Sequence, residues 1–349
     1  MTAVLDRAAD AALAQVTAAV AARARALDDQ TTDVRADLAA LGAARLFDLG
    51  LGGSGLDRMV RVIEEVSGHS LAVGFSAWAH RMTIEYLSYA PAPLWDQHAD
   101  PLRRGARPGV TAMASAFKQL AGLGQIPLIA RPAAGGLRIS GPISWASNLF
   151  EGAVIVAPAQ DTHGRTYVVV VDADTIGVDI HSAPRLMALG ATASTSLHFD
   201  DVAVPDGNVL STDLRAFVAR VRPPFLLLQS AFCVGVARAA LSGAGKTRDQ
   251  TAALFAPEAA ALAEESEELR ERLYRFAADP STPRVPELIR LRLSAAALAV
   301  ASTRLEAALS GGAGYAMSSA ANRRFREAAF LPIQSPSEGH LRWELQQYE

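Results

Sequence analysis

The sequence holds a single cysteine, Cys233, so no disulfide framework can form within the chain and no paired-cysteine metal or redox motif exists. Cys233 sits in the apolar run Ala231-Phe232-Cys233-Val234, which suits a small core residue better than a nucleophile. The seven histidines (His69, His80, His98, His163, His181, His198 and His340) are scattered. None forms an HxxxH or HExxH pair, which argues against a metal site. A GxSxG elbow and a GxxxxGK[ST] phosphate loop are also missing. Basic residues are not in excess: 33 Lys and Arg face 36 Asp and Glu, for a net charge of -3. That balance offers no electrostatic stripe for nucleic acid and no membrane-binding patch. No uncharged apolar run of about 20 residues suggests a membrane span. The first residues, MTAVLDRAADAAL, carry acids where a secretion signal needs continuous apolar side chains, so a cytoplasmic protein is expected.

What is present is a chain of 349 residues, half of them apolar, enough for one large core or two to three packed domains. Helical spacing dominates the first hundred residues. Leu38, Leu41, Ala44 and Leu46 form one apolar face, led by a Thr31-Thr32-Asp33 capping signal. Glycines at 50, 52, 53 and 55 interrupt it, further helices are expected over 56–67 and 71–89, and Pro91 and Pro93 close the block. From Thr111 strand patterns take over: 137–141, 153–157, 166–171, 177–180 and 194–199, then Val202 and Val204 before a Pro205-Asp206-Gly207 turn. Short strands separated by turn signals predict a β-barrel or sandwich. From Phe217 the helical period returns, with long helices over about 252–278 and 287–309. The order helices, strands, helices lacks βαβ alternation and weighs against a Rossmann-like sheet. Three domains follow: 1–110 helical, 111–212 a middle β domain, and 213–349 a helical bundle. The acids Glu264, Glu265, Glu267 and Glu268 read as a solvated helix face pairing with Arg270 and Arg272.

Three stretches carry possible chemistry. Gly141-Pro142-Ile143-Ser144-Trp145-Ala146-Ser147-Asn148 places an indole, a hydroxyl and an amide close together. Such a wall suits a flat isoalloxazine ring, with the indole on its face and the hydroxyl at its polar edge; a packed Trp at a barrel corner is the plainer alternative. Thr111 to Ser115 is a second small-residue wall, or a plain strand. Gly311-Gly312-Ala313-Gly314-Tyr315 can cradle a phosphate with backbone N–H groups, or serve as an interhelical turn needing positive φ.

Taken together these features resemble the acyl-CoA dehydrogenase superfamily over essentially the whole chain. Ile139-Ser140-Gly141 with Trp145-Ala146-Ser147 is similar to the family's sGxKxWIT strand. Met187-Ala188-Leu189-Gly190 through Leu197-His198-Phe199-Asp200-Asp201-Val202-Ala203-Val204-Pro205 is similar to its mGlrgs…l.FddvrVP pattern, the most specific match. Gly311 to Tyr315 with Arg326-Glu327-Ala328 resembles GGxGY…RDA. The resemblance implies an α+β multidomain arrangement: N-terminal helices, a middle β-barrel or sandwich, and a C-terminal helical bundle. It also implies FAD held partly at a subunit interface of a homodimer or homotetramer. Trp145 and Ser147 are the leading flavin contacts, with Ser115, Gly311, Gly312 and Arg248 next.

The departures matter as much. Lys246-Thr247-Arg248-Asp249-Gln250 stands where the family has Arg-x-x-Phe-Gly, which opens the way to FMN or a diffusible reduced flavin. Dehydrogenation needs a carboxylate to take the proton α to a thioester. The family's glutamate aligns with Ser335, whose hydroxyl is too weak a base by itself, and the alternative family position falls near Phe225. Glu338 supplies the base if the loop carries a small insertion; otherwise it is an ordinary acid at a helix N-terminus. Three functions compete: an acyl-CoA dehydrogenase-like enzyme, possible partner of an electron-transfer flavoprotein; a two-component monooxygenase fed by a flavin reductase; and a non-catalytic ligand-binding relative.

Overall fold

The computed structural model describes residues 2–53, 55–246 and 252–348. Five helices come first: α1 (Thr2–Asp28), α2 (Arg35–Ala43), α3 (Leu56–His69), α4 (Leu71–Leu87) and α5 (Ala92–Arg103). In α3 the residues Leu56, Met59, Val60, Ile63 and Val66 recur at three- and four-residue spacing and form its buried face. α4 is buried along its whole length. Most of its polar side chains find partners inside the fold, although Ser76 Oγ and Arg81 Nε are buried without one. Arg81 pairs with Glu85 at 2.7 Å. The Gly109 N–H donates to His80 Nδ1 at 2.9 Å, so His80 carries its proton on Nε2 and donates it to the Leu102 carbonyl oxygen at 2.8 Å. Burial lowers the His80 pKa to about 4, so the ring is neutral. The sequence pattern places a stop at Pro91 and Pro93, but the structure starts a helix there. Pro91 is the N-cap of α5 and Pro93 lies in its first turn, where a missing N–H leaves no helical bond unmade.

The middle segment forms the expected β domain, one mixed eight-stranded sheet. Its strands are β1 (Gly109–Thr111), β2 (Ile129–Ala133), β3 (Gly136–Ala146), β4 (Val154–Gln160), β5 (Thr166–Asp172), β6 (Val178–Ile180), β7 (Thr195–Pro205) and β8 (Val209–Ser211). The order is β6-β7-β3-β2-β4-β5-β8, with β1 paired parallel to β4. β4 and β5 are buried on both faces, which is why they read as unbroken apolar runs. The alternating run at 194–199 continues through Val202 and Val204 as one strand, β7. It pairs antiparallel with β3 and slips register between Ile139 and Gly141, where Asp201 takes φ 50°. A short helix, α6 (Ala114–Leu120), follows β1.

The C-terminal part contains α7 (Leu214–Ala244), α8 (Ala256–Ala278), α9 (Val285–Ser310), α10 (Gly312–Tyr315), α11 (Ala320–Ala328) and α12 (Glu338–Gln346). α7 is long and apolar enough to cross a membrane by length and composition, but 78% of its most apolar window is buried by the rest of the fold. α7 packs on α3 so closely that a Cβ on Gly235 would fall 2.1 Å from the Glu64 carbonyl oxygen. At the same junction the buried Glu64 carboxylate takes Arg238, Arg270 Nε at 2.8 Å and the Tyr274 hydroxyl at 2.6 Å, joining α3, α7 and α8. Arg270 thus turns away from the exposed acids of its own helix, against the sequence expectation. The basic run of α11 is also spent internally: Arg326 pairs with Asp28 at 2.6 Å, Arg324 with Glu306, and Arg323 donates to the His69 carbonyl oxygen.

Candidate functional site

Two polar groupings stand out among the described residues. The first is at the end of β3. Trp145 leaves 58% of its surface exposed, although it terminates a strand whose inward residues Ile139, Ile143 and Ala146 are buried. Two residues on, Ser147 Oγ lies 2.6 Å from Ser194 Oγ. Ser194 Oγ lies 2.6 Å from Thr192 Oγ1, which donates to the Leu189 carbonyl oxygen at 2.7 Å. The turn carrying Thr192 is tightly held. Leu189 and Ala193 flank it with φ of 62° and 46°, and Asn148 opposite has φ 64°. Such conformations cost non-glycine residues energy and persist where the surroundings over-determine them. Here they are over-determined: the Asn148 N–H donates to Thr192 O at 2.8 Å, and the Leu149 N–H to Ala193 O at 3.3 Å. Asn148 Nδ2 in turn donates to Ser76 O and Gly109 O, anchoring the loop to α4 and β1.

The second grouping lies at Ser335, where the family resemblance aligns a glutamate, and at Gln229, one turn from Phe225. Phe225 and Gln229 lie one turn apart on α7, and Gln229 Nε2 donates to the Ser335 carbonyl oxygen at 3.0 Å. Gln229 Oε1 accepts from Arg292 Nε at 3.2 Å. Arg292 Nη2 donates to Leu331 O at 2.9 Å and Gln334 Oε1 at 3.0 Å. Arg292, 1% exposed, is thus a buried cation bonded to amide and carbonyl oxygens. Ser335 Oγ is buried with no hydrogen-bond partner. Around this network the interior is aromatic. Phe225 packs on Phe117 at 4.6 Å and on Trp78 at 5.0 Å between ring centroids, and Phe75 meets Phe330 at 5.0 Å.

The remaining expected residues lie elsewhere. β1 ends at Thr111, so Ser115 is not on a strand wall but in the first turn of α6, half-buried. Gly311 (φ 54°) and Gly312 are exposed at the α9–α10 junction, and a Cβ on either would meet nothing within 4 Å. Packing does not explain these two glycines; the positive φ explains only the first. Tyr315 behind them is 88% exposed. Arg248 lies outside the described residues. Glu338 opens α12, with its side chain 44% exposed and bonded to Arg342 Nε at 2.8 Å. Cys233 is buried, which pushes its thiol up to about 11 and leaves it unreactive. Sequence reading did not single out Ser194, Thr192, Gln229 or Arg292. Ser194 and Thr192 lay inside the family-like segment ending at Pro205, but nothing in one sequence marks them as neighbours of Ser147.

No protein-family model matches the chain, and no curated protein sequence matches it. Solved structures do. Butyryl-CoA dehydrogenase from Megasphaera elsdenii superposes with a TM-score of 0.86 at 17% identity, covering 98% of this chain and 97% of that one. A glutaryl-CoA dehydrogenase from Mycobacterium smegmatis, in complex with FADH2, gives 0.87 at 15% identity, covering 98% and 95%. PigA, solved with FAD and proline, gives 0.83 at 16% identity, covering 96% and 97%. Helical block, mixed sheet and helical bundle follow one another here as they do in those enzymes, and the chain therefore has the acyl-CoA dehydrogenase fold.

Proposed function

We propose that this chain is a flavin-dependent oxidoreductase that binds FAD at the Trp145–Ser147 edge and reacts without a carboxylate base. The neighbours solved with FAD or FADH2 support the cofactor. The residues fit it: an exposed indole offers a flat apolar face, and a half-buried hydroxyl beside it offers a polar contact for N5. When bound, FAD would supply the two-electron chemistry. Gly311 and Gly312 would offer backbone N–H groups to the pyrophosphate of FAD, and a homodimer or homotetramer is the assembly expected.

The observation that carries the choice of reaction is the pairing of Ser335 with Gln229, beside Phe225. By the family resemblance a base is expected at Ser335 or near Phe225, and the groups found about Ser335 and Gln229 are an amide, a buried guanidinium and an unpartnered hydroxyl, with aromatic rings around Phe225 one turn away. None of these takes a proton from carbon near neutral pH. This favours an oxygen-using reaction with reduced flavin delivered by a separate reductase, in which the packed aromatic interior excludes water. Acyl-CoA dehydrogenation is the second reading, favoured by the likeness to butyryl-CoA and glutaryl-CoA dehydrogenases, and it would require Glu338 as base.

The test is anaerobic mixing of flavin-loaded protein with a panel of acyl-CoAs, following the oxidised-flavin band. The expected result is no bleaching by any thioester, with oxygen consumption when reduced FAD and a reductase are supplied. Bleaching would return dehydrogenation to the lead, and protein that binds no flavin would point to a ligand-binding relative.

A further inference from the structure

The hydroxyl chain at the end of β3 has a direction. A carbonyl oxygen only accepts, so Thr192 Oγ1, at 2.7 Å from Leu189 O, spends its single hydrogen there. Thr192 is 0% exposed, and no water competes for that hydrogen. The 2.6 Å contact between Thr192 and Ser194 must then be a bond donated by Ser194. The 2.6 Å contact between Ser194 and Ser147 must be donated by Ser147. Ser147 has no hydrogen left and presents only lone pairs to whatever lies beside Trp145. Reversing the chain would abandon the Thr192–Leu189 bond at a buried site. The left-handed backbone of Leu189, Ala193 and Asn148, tied by the Asn148 and Leu149 N–H groups, holds the three hydroxyls in place.

We infer that Thr192 and Ser194 are positioning residues that fix Ser147 as a hydrogen-bond acceptor and thereby select reduced over oxidised flavin. This rests on the flavin-binding reading above. The reduced isoalloxazine carries a hydrogen on N5 and donates; the oxidised ring has a bare N5 and accepts. An acceptor-only Ser147 satisfies the first and faces the second lone pair to lone pair. Replacing Thr192 by Val removes the terminal donor and acceptor while keeping the shape. Ser194 is then free to donate to Ser147, and Ser147 to donate outward, so the preference inverts.

The experiment measures dissociation constants of oxidised FAD in air and of dithionite-reduced FAD under anaerobic conditions, for the full chain and three variants. The wild type is expected to bind reduced FAD about tenfold more tightly, the worth of one buried hydrogen bond. Thr192→Val should lower the oxidised-to-reduced ratio of dissociation constants by more than about tenfold, seen independently as a fall of more than about 30 mV in the bound-flavin midpoint potential. Thr192→Ser should keep the wild-type ratio, and Ser194→Ala should bring it near one. A merely structural role would weaken both redox forms together and leave the ratio unchanged. The inference is overturned if the wild type binds the two forms equally or prefers oxidised FAD, or if Thr192→Val and Ser194→Ala both keep the wild-type ratio. Binding of neither form by the wild type would sink the flavin reading itself, and this inference with it.

Discussion

Gln229 and Ser335 are 106 residues apart in the chain, yet the amide of the first donates to the carbonyl oxygen of the second at 3.0 Å. That bond ties the middle of α7 to the loop before α12. The same amide accepts from Arg292, so a single side chain serves both the loop and a buried cation. Gln229→Leu removes both contacts and leaves the guanidinium with one partner fewer. The expected cost is about 2–3 kcal/mol of stability, read from urea unfolding. An unchanged midpoint would mean that Arg292 is held by other groups.

Phe225 is 3% exposed and packs between Phe117 and Trp78. Phe225→Ala should leave a cavity and cost about 3–5 kcal/mol. Differential scanning calorimetry would check this. A small loss would mean that Trp78 collapses into the space.

Glu338 is half in solvent and paired with Arg342 one turn along α12. Surface pairs of this kind contribute little. Glu338→Gln should change stability by less than about 0.5 kcal/mol and leave oxygen consumption with reduced FAD and a reductase intact. An oxygen electrode decides the matter; a variant that folds but loses turnover would restore Glu338 as the base.

Trp145 is exposed without packing to hold it, so its removal should weaken flavin binding more than folding. Trp145→Ala is expected to lower FAD affinity by roughly tenfold. Flavin fluorescence titration measures the first quantity and thermal melting the second. A large drop in melting temperature would mark the indole as structural instead.

Glu327 gives a pH dependence. Its carboxyl is buried at the start of α4, accepting the Leu71 N–H at 3.2 Å, with Arg323 Nε at 3.8 Å. Desolvation is the dominant effect and raises its pKa from 4.5 to about 7. The folded state therefore binds more protons than the unfolded state between those values. Stability should fall as pH rises through that window, by a few kcal/mol at most. Glu327→Gln should flatten the slope between about pH 5 and pH 7, measured as ΔG from urea titrations. A slope identical to wild type would assign the effect elsewhere, with Asp37, raised to about 6 by burial, as the next group to test.

The periodicity of the sequence by itself determined the element order. Apolar residues spaced by three and four gave α3, and unbroken apolar runs gave β4 and β5, because each element must bury a face or both faces. It also put Trp145 and Ser147 at the end of one strand, since two residues cannot be far apart. Local pattern misjudged Pro91 and Pro93, because a proline that ends one helix suits the first turn of the next equally well. Only the tertiary structure decided the chemistry of the site. Ser194 and Thr192 join Ser147 across 47 residues, and Gln229 joins Ser335 across 106, through hydrogen bonds that no spacing rule encodes. Side chains distant in sequence become neighbours only when helices and sheet pack, and the direction of a hydroxyl chain is set by the carbonyl at its far end.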